Sequence, residues 1–198
     1  LTEQGNATAK VTRVSNLVQY EQIFGITKLP PVKQIDYLRE EIQLPQARVN
    51  SITYIEDKSA NPSITLNYKV DCERYGNKTG NRLFVPINVF RRGPSKLANK
   101  KRVHPIYITY GYLDSDTITL EIPKNYIIES LPKLPAIDKK FGKFNSTISQ
   151  NGDKILIVNQ LFLRSGEYDT NVYPEFAAFC KEVSNAYSSK IILKKKVE

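Results

Sequence analysis

The side chains able to attack a carbonyl or hold a metal are few in this sequence: one histidine, His104, and two cysteines, Cys72 and Cys180. A Cys-His-Asp hydrolase or acyltransferase needs a thiolate, an imidazole to take its proton and a third group to orient that ring. Cys180 falls among Phe176, Phe179 and Val183 at helical spacing, where a thiol acts as a small apolar group. Cys72, in Lys69-Val70-Asp71-Cys72-Glu73-Arg74, ends an alternating segment between two carboxylates that raise its pKa and weaken it as a nucleophile. His104 precedes Pro105 at a strand start and reads as a surface imidazole. Cys72 with His104 is the pair an enzyme reading would need, and no complete triad assembles around it.

Metal and phosphate chemistry find as little to work with. A single His and two dispersed Cys do not supply the usual zinc sets. Asp114-Ser115-Asp116 reads as a turn between strands and lacks the Gly and terminal Glu of a calcium loop. Neither GxxxxGK[ST] nor GxGxxG occurs, and Gly76-Asn77-Lys78-Thr79-Gly80 reads as a flexible connection. No catalytic residue, metal or cofactor is therefore expected. Three triplets, beginning at Asn6, Asn77 and Asn145, match the acceptor pattern for N-glycosylation.

Charge offers a binding surface instead. The 198 residues carry 29 Lys and Arg against 20 Asp and Glu, a formal +9. Arg91, Arg92, Lys96, Lys100, Lys101 and Arg102 fall within one short stretch with no acid between them, and Lys194-Lys195-Lys196 gather near the far end. A nucleic-acid surface would interleave aromatics for base stacking; only Phe90 and Tyr107 flank the stretch, and Gly93-Pro94 marks a loop. We expect a solvated loop, or one that touches an acidic partner domain, with Tyr110 and Tyr112 at spacing two on one strand face beside it and Tyr107 on the opposite face. The partner surface expected from sequence is thus Arg91, Arg92, Lys96, Lys100, Lys101, Arg102, Tyr110 and Tyr112.

The elements that would hold these residues are mostly strands. Period-2 alternation runs through residues 52–55, 64–70, 105–112, 116–122, 127–131, 143–149, 154–163 and 191–193. Asn151-Gly152 between two alternating segments signals a hairpin. Helical spacing appears twice: Val32, Ile35, Leu38 and Ile42 after Pro31 and up to Pro45, and Phe176, Phe179, Cys180, Val183 and Tyr187 after Pro174. This composition, 40% apolar and 25% charged, excludes disorder, and no apolar run reaches the ~20 residues of a membrane-spanning helix. The fold expected is mainly β, an antiparallel β-sandwich, immunoglobulin-like or larger. A C-terminal helix packs on it, and a short helix lies near the N-terminus. Residues 1–44 form a loosely assigned strand and helix segment; residues 45–198 form the sandwich, with a subdivision near 91–102. Met is absent and no signal-peptide pattern opens the chain, so a processed form or an excised piece of something longer is expected.

The segment Leu120-Glu121-Ile122-Pro123-Lys124-Asn125-Tyr126-Ile127-Ile128-Glu129-Ser130-Leu131-Pro132 resembles a strand pair of a bacterial domain of unknown function. That domain follows transglutaminase-like cores in envelope proteins of Gram-negative bacteria. Phe141-Gly142-Lys143-Phe144, Tyr173-Pro174-Glu175-Phe176 and Lys190-Ile191-Ile192-Leu193 are similar to its closing pattern, and Arg102-Val103-His104-Pro105-Ile106 to a strand opening. Residues from about 45 to 195 are covered.

The resemblance implies a β-rich, non-catalytic accessory domain of a larger secreted or periplasmic protein. It would dock on, or present substrate to, an upstream cysteine-hydrolase-type core. Its partners would be that upstream domain, and beyond it an envelope protein or polysaccharide, with no nucleic acid and no membrane span. The alternative is a stand-alone glycan- or polymer-binding module of the cell envelope, recognisable by a row of exposed aromatics on one face.

Overall fold

The structure is a computed structural model that describes residues 1–42, 44, 46–89, 94 and 102–196. It is mainly β, and the strand pairs whose register is defined are antiparallel. The chain divides into two compact units, Leu1–Lys78 and Thr79–Glu198.

In the first unit, β1 (Ala7–Asn16) is followed by α1 (Val18–Thr27) and α2 (Pro31–Glu41), then by the hairpin of β2 (Ala47–Asp57) and β3 (Ser63–Cys72). Sheet order is β1-β3-β2, so the two helices carry the chain from one edge of the sheet to the other. Thus β2 and β3, which lie inside the segment 45–198 read from sequence as the sandwich, share their sheet with β1. Alternation along β3 buries Ile64, Leu66, Tyr68, Val70 and Cys72 on one face. Ile23 and Ile26 of α1, Leu38 of α2 and the adjoining Ile42 are buried with them. Arg13, on the same face of β1, donates from Nη1 to both Glu41 carboxylate oxygens at 3.0 and 3.3 Å, and Tyr37 OH donates to Glu41 at 2.9 Å. The β2–β3 turn forms where the sequence places it, with Ser59 N–H donating to the Asp57 carboxylate at 2.9 Å.

The second unit begins with β4 (Asn77–Thr79), which straddles the division, and β5 (Arg82–Pro86). There follow β6 (Ile106–Ile108), β7 (Tyr112–Glu121), β8 (Tyr126–Ser130), β9 (Ile137–Lys139), β10 (Gly142–Asn151), β11 (Lys154–Leu163) and β12 (Gly166–Tyr168). A 3-10 turn, Thr170–Val172, leads into α3 (Tyr173–Tyr187), and β13 (Lys190–Lys195) comes last. Two four-stranded sheets, ordered β7-β11-β10-β9 and β4-β5-β13-β8, are accompanied by the β12-β6 ribbon. The β10–β11 hairpin keeps ten residue pairs in unbroken register. Its central turn pair is Gly152-Asp153, one residue on from Asn-Gly, and only Gly152 has a positive φ, 60°; a glycine first in the pair suits a type II′ turn.

Helix α3 packs on the inner face of the first of these sheets, as the sequence predicts. Phe176, Phe179, Cys180, Val183, Ala186 and Tyr187 cluster there with Ile137, Phe141, Phe144, Leu161 and Leu163. Phe141 meets Phe176 edge-on at 5.0 Å between ring centroids, and Phe144 meets Tyr187 at 5.2 Å. In the other sheet Leu83 and Val85 of β5 pair with Leu193 and Ile191 of β13, and all four are fully buried.

The sequence also reads a single strand over 105–112, which the structure divides. β6 pairs with β12, β7 pairs with β11, and the chain bends between them at Tyr110-Gly111. The bend presses Gly111 against the end of β11: a Cβ there would stand 2.8 Å from the Leu163 carbonyl oxygen. The Asp114-Ser115-Asp116 turn is likewise corrected, because all three residues lie inside β7.

Candidate functional site

Alternation along β7 places Tyr112, Asp114, Asp116, Ile118 and Leu120 on the face that looks into the core. Register sets them opposite Leu163, Leu161, Asn159, Ile157 and Ile155 of β11. Two carboxylates therefore stand in the layer of core side chains. Asn159 is fully buried; its Oδ1 accepts from Ser146 Oγ at 2.6 Å, and its Nδ2 has no hydrogen-bond partner among the described residues. Asn88 Nδ2 donates to Asp116 Oδ2 at 3.3 Å. Tyr187, at the end of α3, is buried with its hydroxyl unpartnered among the described residues. Burial first, then the Asp116 and Asp114 charges, holds its pKa well above the ordinary phenol value. Tyr112 is pushed up to about 12, again by burial first and Asp114 second. The result is a band of donors and acceptors inside an apolar layer, where each group is costly without a partner. Sequence reading missed it by taking Asp114 and Asp116 for a turn; the signal was their parity with Ile118 and Leu120.

The two thiols are buried in different units. Cys72 closes the inner row of β3, and burial followed by the Asp71 charge pushes its pKa up to about 11. Cys180 is fully buried in the α3 core and is pushed up to about 11 by burial. Both hold their protons at neutral pH, which disfavours nucleophilic attack. His104 is exposed in the segment before β6. Among the described residues no three His, Cys, Asp or Glu side chains come together as a metal site would require.

Of the surface expected from sequence, Arg91, Arg92, Lys96, Lys100 and Lys101 lie outside the described residues. Arg102 is exposed, but its guanidinium is engaged locally. Nε donates to the His104 carbonyl at 2.9 Å, Nη2 reaches the Pro105 carbonyl at 3.5 Å, and the group lies 5.5 Å from the Tyr173 ring centroid. Tyr110 is 63% exposed in the bend, whereas Tyr112 is half-buried and packs against the α3 core. The two do not share a face, because the strand that would have aligned them is broken between them. Val103 and Tyr107 are the other large exposed apolar groups of this segment, and Tyr107 OH donates to Glu167 at 2.9 Å.

Residues 81–193, more than half of the chain, match the model of a family described as a Domain of Unknown Function with a solved structure, DUF3858. The chain belongs to this family. No curated protein and no solved structure matches it. The DUF3858 segment falls within the second unit, and that unit carries the charge imbalance: it holds 19 of the Lys and Arg against 11 of the Asp and Glu, while the first unit is close to balanced. No helix among the described residues is long and apolar enough to cross a membrane.

Proposed function

We propose that this chain is a non-catalytic accessory region of a larger secreted or periplasmic protein. Its DUF3858 unit docks on, or presents substrate to, an upstream transglutaminase-like core. The observation that carries the reading is the gathering of nearly all the excess positive charge in the unit that matches the family. Fields of one sign steer association with a partner of the other sign. The burial and raised pKa of both thiols support a binding role over a chemical one.

The test is a calorimetric titration of the whole chain with the separately produced polypeptide that precedes it in its parent protein. Saturable binding that weakens as salt is raised supports docking. A flat trace with both pieces folded removes the docking reading and turns the search to envelope polysaccharides. Thiol-dependent turnover of an amide or ester, lost in Cys72→Ala, would overturn the non-catalytic reading.

A further inference from the structure

The outer face of the β4-β5-β13-β8 sheet combines an apolar floor with a cationic rim. Opposite the buried row of Leu83, Val85, Ile191 and Leu193, alternation turns Arg82 and Phe84 of β5 and Lys190, Ile192 and Lys194 of β13 outward. Register sets Ile192 beside Phe84, Lys194 beside Arg82, and Ile127 of β8 on the other side of Lys194. Phe84 and Ile192 are half-buried, and Ile127 is 50% exposed. The four strands of this sheet contain a single acid, Glu129, already held by Arg82 through Nε at 2.5 Å and Nη2 at 2.7 Å. Lys194 also acts on Glu129, whose carboxyl sits below its usual range, chiefly through the Arg82 hydrogen bond. The strand end is fixed: Lys195 N–H donates to the Asn81 carbonyl at 2.7 Å, and Lys196 Nζ donates to the Lys124 carbonyl at 3.0 Å. The cations are thus presented from a rigid sheet.

We propose that this face, floored by Phe84, Ile192 and Ile127 and rimmed by Arg82, Lys190 and Lys194, is a docking site for an acidic polypeptide segment whose carboxylates alternate with apolar side chains. Charge complementarity selects the occupant. Glu129, the one acid of these four strands, is engaged by Arg82, so the rim keeps a net positive charge that an acidic partner would neutralise. An apolar patch with a polar rim is the ordinary form of a protein-binding surface. The inference rests on the docking reading above and assigns it a face and a partner chemistry.

The experiment uses the whole chain, isotope-labelled, titrated with a synthetic peptide of alternating Glu and Leu and followed by amide shifts. Shifts are expected on β5, β8 and β13, saturating, with binding weakened at least about tenfold in Lys190→Glu/Lys194→Glu and less in Lys190→Gln/Lys194→Gln. Lys154→Glu, on the other sheet, should bind as the parent does. The proposal is overturned if the peptide does not saturate, if Lys154→Glu loses as much as the double variant, or if a Glu-Ser peptide binds equally well. It is also overturned if phosphatidylglycerol vesicles bind this face and the peptide does not. Repeating the calorimetric titration with Lys190→Glu/Lys194→Glu separates the two readings. Unchanged affinity for the preceding polypeptide sinks this face and leaves docking standing; a flat trace for the parent chain with normal peptide binding does the reverse.

Discussion

At the scale of single residues, burial decides what Cys72 and Cys180 can do. Each thiol is raised from 9.0 to about 11. As pH climbs past about 9 the unfolded chain loses these protons first, while the folded chain keeps them to about 11. Stability is therefore whole below pH 9 and falls across that window. Denaturant titrations at pH 7, 9 and 10 should show the fall. Cys72→Ala/Cys180→Ala should reduce it without abolishing it, because buried phenols such as Tyr112, pushed up to about 12, add a loss of the same sign at higher pH. Neither thiol should react with an alkylating reagent at pH 8 until the protein unfolds. The glycines separate into opposite kinds. A Cβ at Gly142 would lie 2.1 Å from the Phe162 carbonyl oxygen, whereas one at Gly25 meets nothing within 4 Å. Gly142→Ala should cost about 1–3 kcal/mol or more through forced overpacking, and Gly25→Ala, inside α1, should add about 0.5–1 kcal/mol; thermal melts read both.

Among elements, α3 and α1 show why one helix was legible and the other was not. α3 buries seven side chains along one face, carries Pro174 in its first turn and ends at Ser188-Ser189, so spacing and boundaries agree. α1 buries only Ile23 and Ile26, contains Gly25 and starts after Leu17 with no side-chain cap, so nothing local announces it. It exists because the sheet beneath it supplies an apolar surface. Likewise the long hairpins declare themselves by alternation, while β4, β9 and β12, at three residues each, are too short to hold a period. Phe179→Ala, at a fully buried α3 position, should cost about 3–5 kcal/mol by denaturant unfolding. β7 carries a further element-level property. It is an edge strand among the described residues, and its inward-facing Asp114 and Asp116 make it a poor template for another chain, because pairing there would have to bury charge.

On the scale of the whole molecule, the division at residue 78 explains what composition alone concealed. A chain-wide +9 reads as a diffuse property until the units are separated, and then it belongs to the DUF3858 unit. Partner binding by this unit should accordingly weaken with ionic strength, most of it lost between ~0.05 and 0.5 M salt as the Debye length contracts. The candidate site was legible only in part for the same reason: the sequence showed the cations and the strands, but not which strands stand side by side.

The position of β13 carries one more consequence, for the order of events at the ribosome. This strand lies between β5 and β8, so neither can complete its pairing until residues 190–195 have emerged. The β10–β11 hairpin can close as soon as it is made, on a timescale of ~1–10 µs. Its sister sheet waits for the last strand to be threaded between two that precede it by dozens of residues. Premature termination before Lys190 would therefore remove the middle of a sheet, leaving β8 without its partner and one edge of β5 open to proteolysis or aggregation.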